Sequence, residues 1–385
     1  MAIATGTSGI AAFTPFDGQM MQLALAAARR ALGTTAPNPT VGAVIADEKT
    51  RTVISVAATD VGGRPHAEPI AIAEAGARAR GATMYVTLEP CSHVGKTPPC
   101  AGAVIDAGLS RVVIAQEDPD PRVSGRGTTR LREAGIKVDR GLMGVEADWL
   151  TRGHILRVSE RRPFVQLKLA VTHELTIARG SNGRPVWVTG ESARARGHLL
   201  RARSDAILVG GRTVADDNPE LTCRLPGLTH RSPVRVVLAG NELPPLTSRL
   251  ALTAREVPVW IMATRRLIEA RAGEVGALAD EGCRIIEVSE VGGRPWLPSV
   301  AEALVAEGTT RLLVEGGPRT WRAFAEAGLA DEVILFRAPP RAAEGSSPAL
   351  PPDAGQLAAL LPGLSLDLVD VRDVGNDAML TYRQS

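Results

Sequence analysis

The chain has 385 residues, is 44% hydrophobic and 22% charged, and carries a formal net charge of +2 with 3% aromatic content. That length exceeds one ordinary core and predicts two domains, while near-neutral charge and scarce aromatics exclude the basic, stacking-rich surface of a typical nucleic-acid binder. No apolar run approaches a membrane span, Met1 to Phe16 lacks the features of a signal peptide, and four cysteines without framework spacing predict reduced thiols in a cytoplasmic protein.

Met20 to Ala31 reads as a helix with Ala and Leu at helical spacing, and Pro37-Asn38-Pro39 breaks it before a strand at Val41 to Ala46. Gly62-Gly63 turns into His66, and Ala67 to Arg80 reads as one alanine-rich helix. A strand at Ala82 to Leu88 ends on Glu89-Pro90-Cys91; a helix runs from Cys100 to Ala107, a strand from Arg111 to Ala115, and the alternation continues through Leu131 and Lys137. Glu146 to Pro163 is polar and predicts an inter-domain connection. A second alternation has strands at Phe164 to Ala170, Ala206 to Val209, Val234 to Leu238, Val257 to Met262, Arg284 to Val288 and Arg311 to Glu315. Its helices fall near Glu191 to Arg203, Ser299 to Glu307 and Trp321 to Ala327. This predicts an α/β protein of two three-layer αβα domains, 17–150 and 162–385, with no internal repeat relating them.

His66-Ala67-Glu68, Pro90-Cys91 and Cys100 offer one imidazole and two thiols. Three protein ligands leave a fourth zinc position open for water, whose pKa the metal lowers to about 7. Glu68 then matches the glutamate that moves the proton in zinc-dependent nucleobase deaminases, although their ordinary signature closes with Cys-x-x-Cys and here eight residues separate the thiols. Two readings compete with catalysis: cysteines buried for packing alone, and a closed site with His93 as fourth ligand.

Ala36-Pro37-Asn38-Pro39-Thr40-Val41-Gly42-Ala43-Val44, His66-Ala67-Glu68, the run from Thr87 to Cys100 and Asp118-Pro119-Asp120-Pro121 together resemble the bifunctional riboflavin-biosynthesis deaminase/reductase family. The resemblance covers nearly the whole chain from Asp17 onward. It implies a cytidine-deaminase-like domain followed by a dihydrofolate-reductase-like one. The first would deaminate 2,5-diamino-6-(5-phosphoribosylamino)pyrimidin-4-one hydrolytically; the second would reduce the ribosyl group to ribityl with NADPH. Zn²⁺ would be held by His66, Cys91 and Cys100, with Glu68 as proton shuttle and Asn38, His93 and Lys96 as substrate contacts. Asn38 can equally hold a turn, and Lys96 can be a solvated loop residue.

In the second domain the resemblance rests on Lys168-Leu169-Ala170, Trp187-Val188-Thr189, the run Leu200 to Gly210, the run Thr213 to Arg224, and Val314-Glu315-Gly316-Gly317-Pro318. It implies that Ala170, Trp187, Thr213, Asp217 and Gly317 face NADPH, and that Arg201, Leu221, Arg224 and Glu315 face a phosphorylated substrate. Guanidinium forks suit a phosphate ester, and a Gly-Gly turn at a helix start admits cofactor phosphates. Three departures touch this half. Leu175 stands where the family has glycine, Pro185 where it has serine, and Ala239 where aspartate commonly ends a strand. They leave open an alternative, an active deaminase joined to a non-catalytic reductase-like domain. A deaminase of nucleic-acid bases is a third reading, disfavoured by charge and aromatic content. The partner expected is a small phosphorylated pyrimidine substrate, with no nucleic acid and no membrane, and the chain is expected to form a homo-oligomer.

Overall fold

Thr14 opens the first helix with a capping box: its hydroxyl accepts from the Asp17 amide, and the Asp17 carboxylate accepts from the Thr14 amide. The computed structural model describes residues 13–92, 98–120, 124–176, 188–339 and 351–384, and these fall into two compact units that divide between Glu160 and Arg161.

The first unit runs α1 (Pro15–Ala31), β1 (Gly42–Asp47), β2 (Thr52–Ala58), α2 (Ala67–Ala75), β3 (Thr83–Val86), α3 (Cys100–Asp106), β4 (Arg111–Ile114), α4 (Arg126–Glu133), β5 (Lys137–Arg140) and α5 (Gly144–Ser159). Its sheet has the order β2-β1-β3-β4-β5, parallel from β3 to β5 and antiparallel across β1. Side chains alternate across this sheet. Val44 and Tyr85 meet α1 and α5 on one face, whereas Ile45, Met84 and Val112 meet α2 and α3 on the other. Gly42 is required by the first contact, because a Cβ there would lie 1.9 Å from the Ala24 carbonyl oxygen of α1. At the amino-terminal ends of the parallel strands, Asp17 is buried and accepts from Tyr85 Oη at 2.8 Å and from Arg111 at 2.7 Å. Arg111 also pairs with Glu48 and Asp139, so this end of the sheet carries a closed polar network.

Three expectations change here. The connection is shorter than Glu146 to Pro163: the units divide between Glu160 and Arg161, and most of the range is α5, with Ala147, Leu150, Thr151, Ile155 and Leu156 buried at helical spacing beneath a charged outer face. The helix from Ala67 stops at Ala75, where Gly76 takes φ +55° and a 3₁₀ turn follows. Strand β2, unmarked in the sequence reading, is an edge strand that starts exposed and then alternates between half-buried and buried residues, with Ser55 and Ala57 inside.

The second unit contains β6 (Phe164–Val171), α6 (Glu191–Ala202), β7 (Ala206–Gly210), α7 (Gly211–Asp217), β8 (Val234–Ala239), α8 (Arg249–Leu252), β9 (Val259–Thr264), α9 (Arg265–Ala270), α10 (Ala272–Asp280) and β10 (Arg284–Val288). A small hairpin, β11 (Glu290–Val291) and β12 (Arg294–Pro295), precedes α11 (Leu297–Ala306), β13 (Arg311–Val314), α12 (Pro318–Glu326), β14 (Glu332–Arg337), α13 (Ala354–Leu360), β15 (Leu366–Val374) and β16 (Asp377–Gln384). Nine strands form one sheet, β10-β9-β8-β7-β13-β6-β14-β16-β15, parallel up to β14 and antiparallel for the last two. Leu167, Leu208 and Val314 pack with Leu304 of α11 and Phe324 of α12 on one face; Ile207, Val237 and Ile261 pack with Val214 of α7 and Leu278 of α10 on the other. Both units are therefore αβα sandwiches, as the alternation implied.

Candidate active sites

In the first unit the site forms past the carboxyl ends of the parallel strands, where α/β sheets place ligands. His66 is the N-cap of α2, Cys91 follows β3, and Cys100 is the first residue of α3. His66 Nδ1 lies 3.3 Å from Cys100 Sγ and 3.9 Å from Cys91 Sγ, and the three ligand atoms all fall within 4.8 Å of one another. Zinc–nitrogen and zinc–sulfur bonds of about 2.05 and 2.3 Å give a tetrahedral edge of roughly 3.6 Å, so the set fits this metal. No fourth His, Cys, Asp or Glu joins the group among the described residues. His93 and Lys96 lie outside those residues.

Electrostatics within the cluster follow from burial and contact. The Cys91 thiol is held down to about 4, first by the hydrogen bond from Cys100 and further by His66. Cys100 is pushed up, first by that shared bond and then by burial. A bound dication removes both protons. Glu68 is 3% exposed in the first turn of α2, and burial pushes its carboxyl up to about 7 against the pull of His66. A buried carboxyl in this position can both take and return a proton.

Two further residues build the wall. Asn38 donates through Nδ2 to the Gly63 carbonyl at 2.9 Å, three residues before His66. Gly63 has φ +82°, and a Cβ on it would meet that amide at 2.4 Å. Asn38 thus braces the turn into the histidine while keeping its side-chain oxygen as an acceptor. Glu89, which sequence reasoning passed over, turns both carboxylate oxygens to the start of α4, accepting from Gly125 N at 3.0 Å and Thr128 N at 2.8 Å.

In the second unit, Arg201 of α6 and Glu315 after β13 form a two-point ion pair, with Nε and Nη2 each 2.9 Å from a carboxylate oxygen. Arg201 Nη1 also donates to the Thr222 carbonyl at 3.0 Å, beside the expected contact Leu221. Burial alone would raise Glu315, but Arg201 and then Lys168 outweigh it and bring its carboxyl down to about 2. The Arg201 fork, expected to face a phosphate, is therefore engaged by Glu315, because both side chains are nearly enclosed (13% and 9% exposed) and neither can stand unpaired. Arg224 is exposed and pairs with Glu220 at 2.7 Å.

Lys168 was missed as a site residue. It is a lone cation in the apolar strand Phe164-Val165-Gln166-Leu167-Lys168-Leu169-Ala170-Val171, and that charge was the available signal. It sits beneath Gly197 of α6, whose Cβ would lie 4.0 Å from Lys168 Cε, and desolvation draws its ammonium below the usual lysine range. His198, on the next residue of α6, contacts the Thr222 carbonyl and the Arg224 amide through Nδ1.

Of the expected cofactor residues, the structure brings Thr213 and Gly317 together. Gly316 has no room for a side chain, since a Cβ would meet Thr320 Cβ at 2.6 Å, and a Cβ on Gly317 would lie 4.0 Å from Thr213 Oγ1. The backbone of the Gly-Gly turn and Thr213 of α7 are thus brought together. Asp217 is exposed at the end of α7, and Ala170 is half-buried in β6. Trp187 and Pro185 lie outside the described residues. Leu175 adopts φ +61° in a tight turn closed by Thr172 N to Thr176 O (2.9 Å) and Leu175 N to Thr172 O (3.1 Å). The leucine thus takes the left-handed conformation that its branched side chain was expected to resist, and it packs on the main core of this unit. Ala239 ends β8, fully buried.

Residues 15–116 match the model of the cytidine and deoxycytidylate deaminase zinc-binding region, and residues 163–380 match the RibD C-terminal domain. The chain is 35% identical over 368 residues to riboflavin biosynthesis protein RibD of Aquifex aeolicus, covering 96% of this chain and 98% of that protein. It is 38% identical over 334 residues to the Escherichia coli protein of the same name, covering 84% and 88%. Among solved structures, Acinetobacter baumannii RibD superposes with a TM-score of 0.79 at 33% identity, covering 96% of this chain and 99% of that one. The diaminohydroxyphosphoribosylaminopyrimidine deaminase/5-amino-6-(5-phosphoribosylamino)uracil reductase of Thermotoga maritima superposes with a TM-score of 0.78 at 30% identity, covering the same shares.

Proposed function

From the premise that this chain belongs to the RibD family of riboflavin-biosynthesis proteins, we propose that it is a bifunctional deaminase and reductase acting in two consecutive steps. The observation that carries the first step is the His66, Cys91 and Cys100 cluster beside buried Glu68. These three residues would hold Zn²⁺, which when bound acts as a Lewis acid toward water. The substrate is 2,5-diamino-6-(5-phosphoribosylamino)pyrimidin-4-one. Glu68 accepts a proton from water as the water oxygen bonds to ring C2 and delivers it to the adjacent ring nitrogen; it then takes the remaining hydroxyl proton and passes it to the exocyclic amine as the C–N bond breaks. Ammonia leaves and C2 keeps a carbonyl beside a ring N–H, so atoms and charge balance. Asn38 positions the pyrimidine edge through its free side-chain oxygen.

Reduction of ribosyl to ribityl adds a hydride at C1′ and a proton at the ring oxygen. NADPH supplies the hydride when bound, and we assign Ala170, Trp187, Thr213, Asp217 and Gly317 to its pocket. Lys168, beside Glu315, is the group we assign to donate the proton to the ring oxygen. Arg224 takes the substrate phosphate, while Arg201 orients Glu315 and the loop that carries Leu221. Among the described residues no helix is long and apolar enough to cross a membrane, and all four cysteines are free thiols, which supports a cytoplasmic setting.

The test uses the full chain. Cys91→Ser should lose most of its zinc by metal analysis. Glu68→Gln should keep zinc yet lose about 10²–10⁴-fold in deamination, the usual size of a general acid–base contribution. Full zinc occupancy in the first variant, or normal turnover in the second, would remove the residue from its role.

A further inference from the structure

We propose that Glu89 is a positioning residue, one that sets the sulfur of Cys91 for the metal through a clamp against the start of α4. The inference rests on the zinc reading above and assigns a role to a carboxylate beside the site that the reaction does not use. Glu89 is 3% exposed, and both its oxygens accept backbone amides, from Gly125 at 3.0 Å and Thr128 at 2.8 Å. Its own amide donates to the Gln116 carbonyl at 2.9 Å, tying the segment to the loop after β4. With both oxygens engaged, Glu89 has little capacity left to relay a proton.

The clamp is tight on its other side as well. Gly127 lies against Pro90, and a Cβ on it would fall 2.1 Å from the Pro90 carbonyl oxygen and 3.2 Å from the Glu89 side chain. Pro90 has a fixed φ, so few torsions separate the held carboxylate from the next residue, Cys91. Cys91 is gripped in turn by α3: its carbonyl accepts from Ala101 N at 3.1 Å, and its sulfur accepts from Cys100 N at 3.4 Å. Residues 89 to 91 are therefore held at both ends, by α4 before the thiolate and by α3 after it. The plain alternative is that Glu89 merely caps α4. It differs in consequence, because a cap affects stability and leaves the metal geometry alone.

The experiment compares Glu89→Gln and Gly127→Ala with Leu131→Ala, which hollows the core under the same helix away from the clamp. Each full-length variant is stripped of metal and titrated with zinc against a chromophoric chelator, then loaded with cobalt to read the thiolate-to-metal charge-transfer band. Both clamp variants should bind zinc about tenfold or more weakly and shift or weaken the band, the range seen when outer-shell support is removed. Leu131→Ala should lose thermal stability and keep both readouts. Parental affinity and an unchanged band in Glu89→Gln overturn the proposal, even if Gly127→Ala fails to fold. An equal loss of affinity in Leu131→Ala also overturns it. A parent chain that takes up no zinc would instead overturn the metal reading beneath it, an outcome distinct from variants failing against a zinc-loaded parent.

Discussion

Leu175 offers a direct test of how a turn tolerates the wrong residue type. Its φ of +61° costs a side chain with a Cβ about 1–2 kcal/mol. Against this stands the packing of its half-buried side chain on the core, worth roughly 1 kcal/mol if half of a leucine's full burial is realised. Leu175→Ala retains the backbone penalty and loses the packing, so it should destabilise by about 1 kcal/mol. Leu175→Gly loses the same packing but relieves the strain, at an entropic cost of roughly 0.5–1 kcal/mol, so its net effect should be near zero. Glycine should therefore be more stable than alanine by about 0.5–1 kcal/mol, the reverse of their order in ordinary backbone. Urea unfolding followed by tryptophan fluorescence reads this unit well, since four of the five tryptophans fall after residue 160. NADPH affinity in Leu175→Gly should stay within about twofold of the parent, because the leucine already holds the glycine conformation. An alanine variant as stable as the glycine variant would refute the reasoning.

The remaining predictions concern the second unit. Glu315, brought from its usual 4.5 down to about 2, contributes stability that is fully present above the unfolded value and is lost as pH falls toward the folded one. Acid unfolding of this unit should show a loss of about 3 kcal/mol across that window, and Glu315→Gln should flatten it; an unchanged acid profile would discount the pair with Arg201. Lys168→Met should still bind NADPH but reduce the ribosyl group about 10²–10⁴-fold more slowly, with the loss in kcat rather than KM. If NADPH at millimolar concentration fails to bind the parent, the reductase assignment ends.

Metal chemistry restricts residue type and order so strongly that His66, Cys91 and Cys100 could be read from the chain alone. The central parallel strands were equally legible, because burial on both faces leaves near-continuous apolar runs. In the first unit, what escaped were elements whose burial is partial; in the second, β14 and β16 also went unread although they are largely buried. Strand β2 sits at a sheet edge with half-buried side chains, and α5 hides its apolar stripe among Arg and Glu. Pairing was illegible for a different reason. Arg201 looked like a phosphate fork because its partner, Glu315, lies 114 residues away and only the sheet brings β13 beneath α6. Leu175 shows the converse: residue type argued against a left-handed turn, and local hydrogen bonds with core packing prevailed over that preference.

The contact between Cys91 and the first turn of α3 changes how the spacing of the two cysteines should be understood. Their chain ends are joined directly, by Cys100 N to Cys91 Sγ and by Ala101 N to Cys91 O. Lengthening the intervening segment from two residues to eight costs only about 1.2 kcal/mol of closure entropy, since that cost grows with the logarithm of length. The number of residues between the thiols is thus nearly free to vary, while the points at which the chain leaves and rejoins the helix start are not. The signature is a pair of anchored positions, and the segment between them is open to other uses at little thermodynamic consequence for the metal.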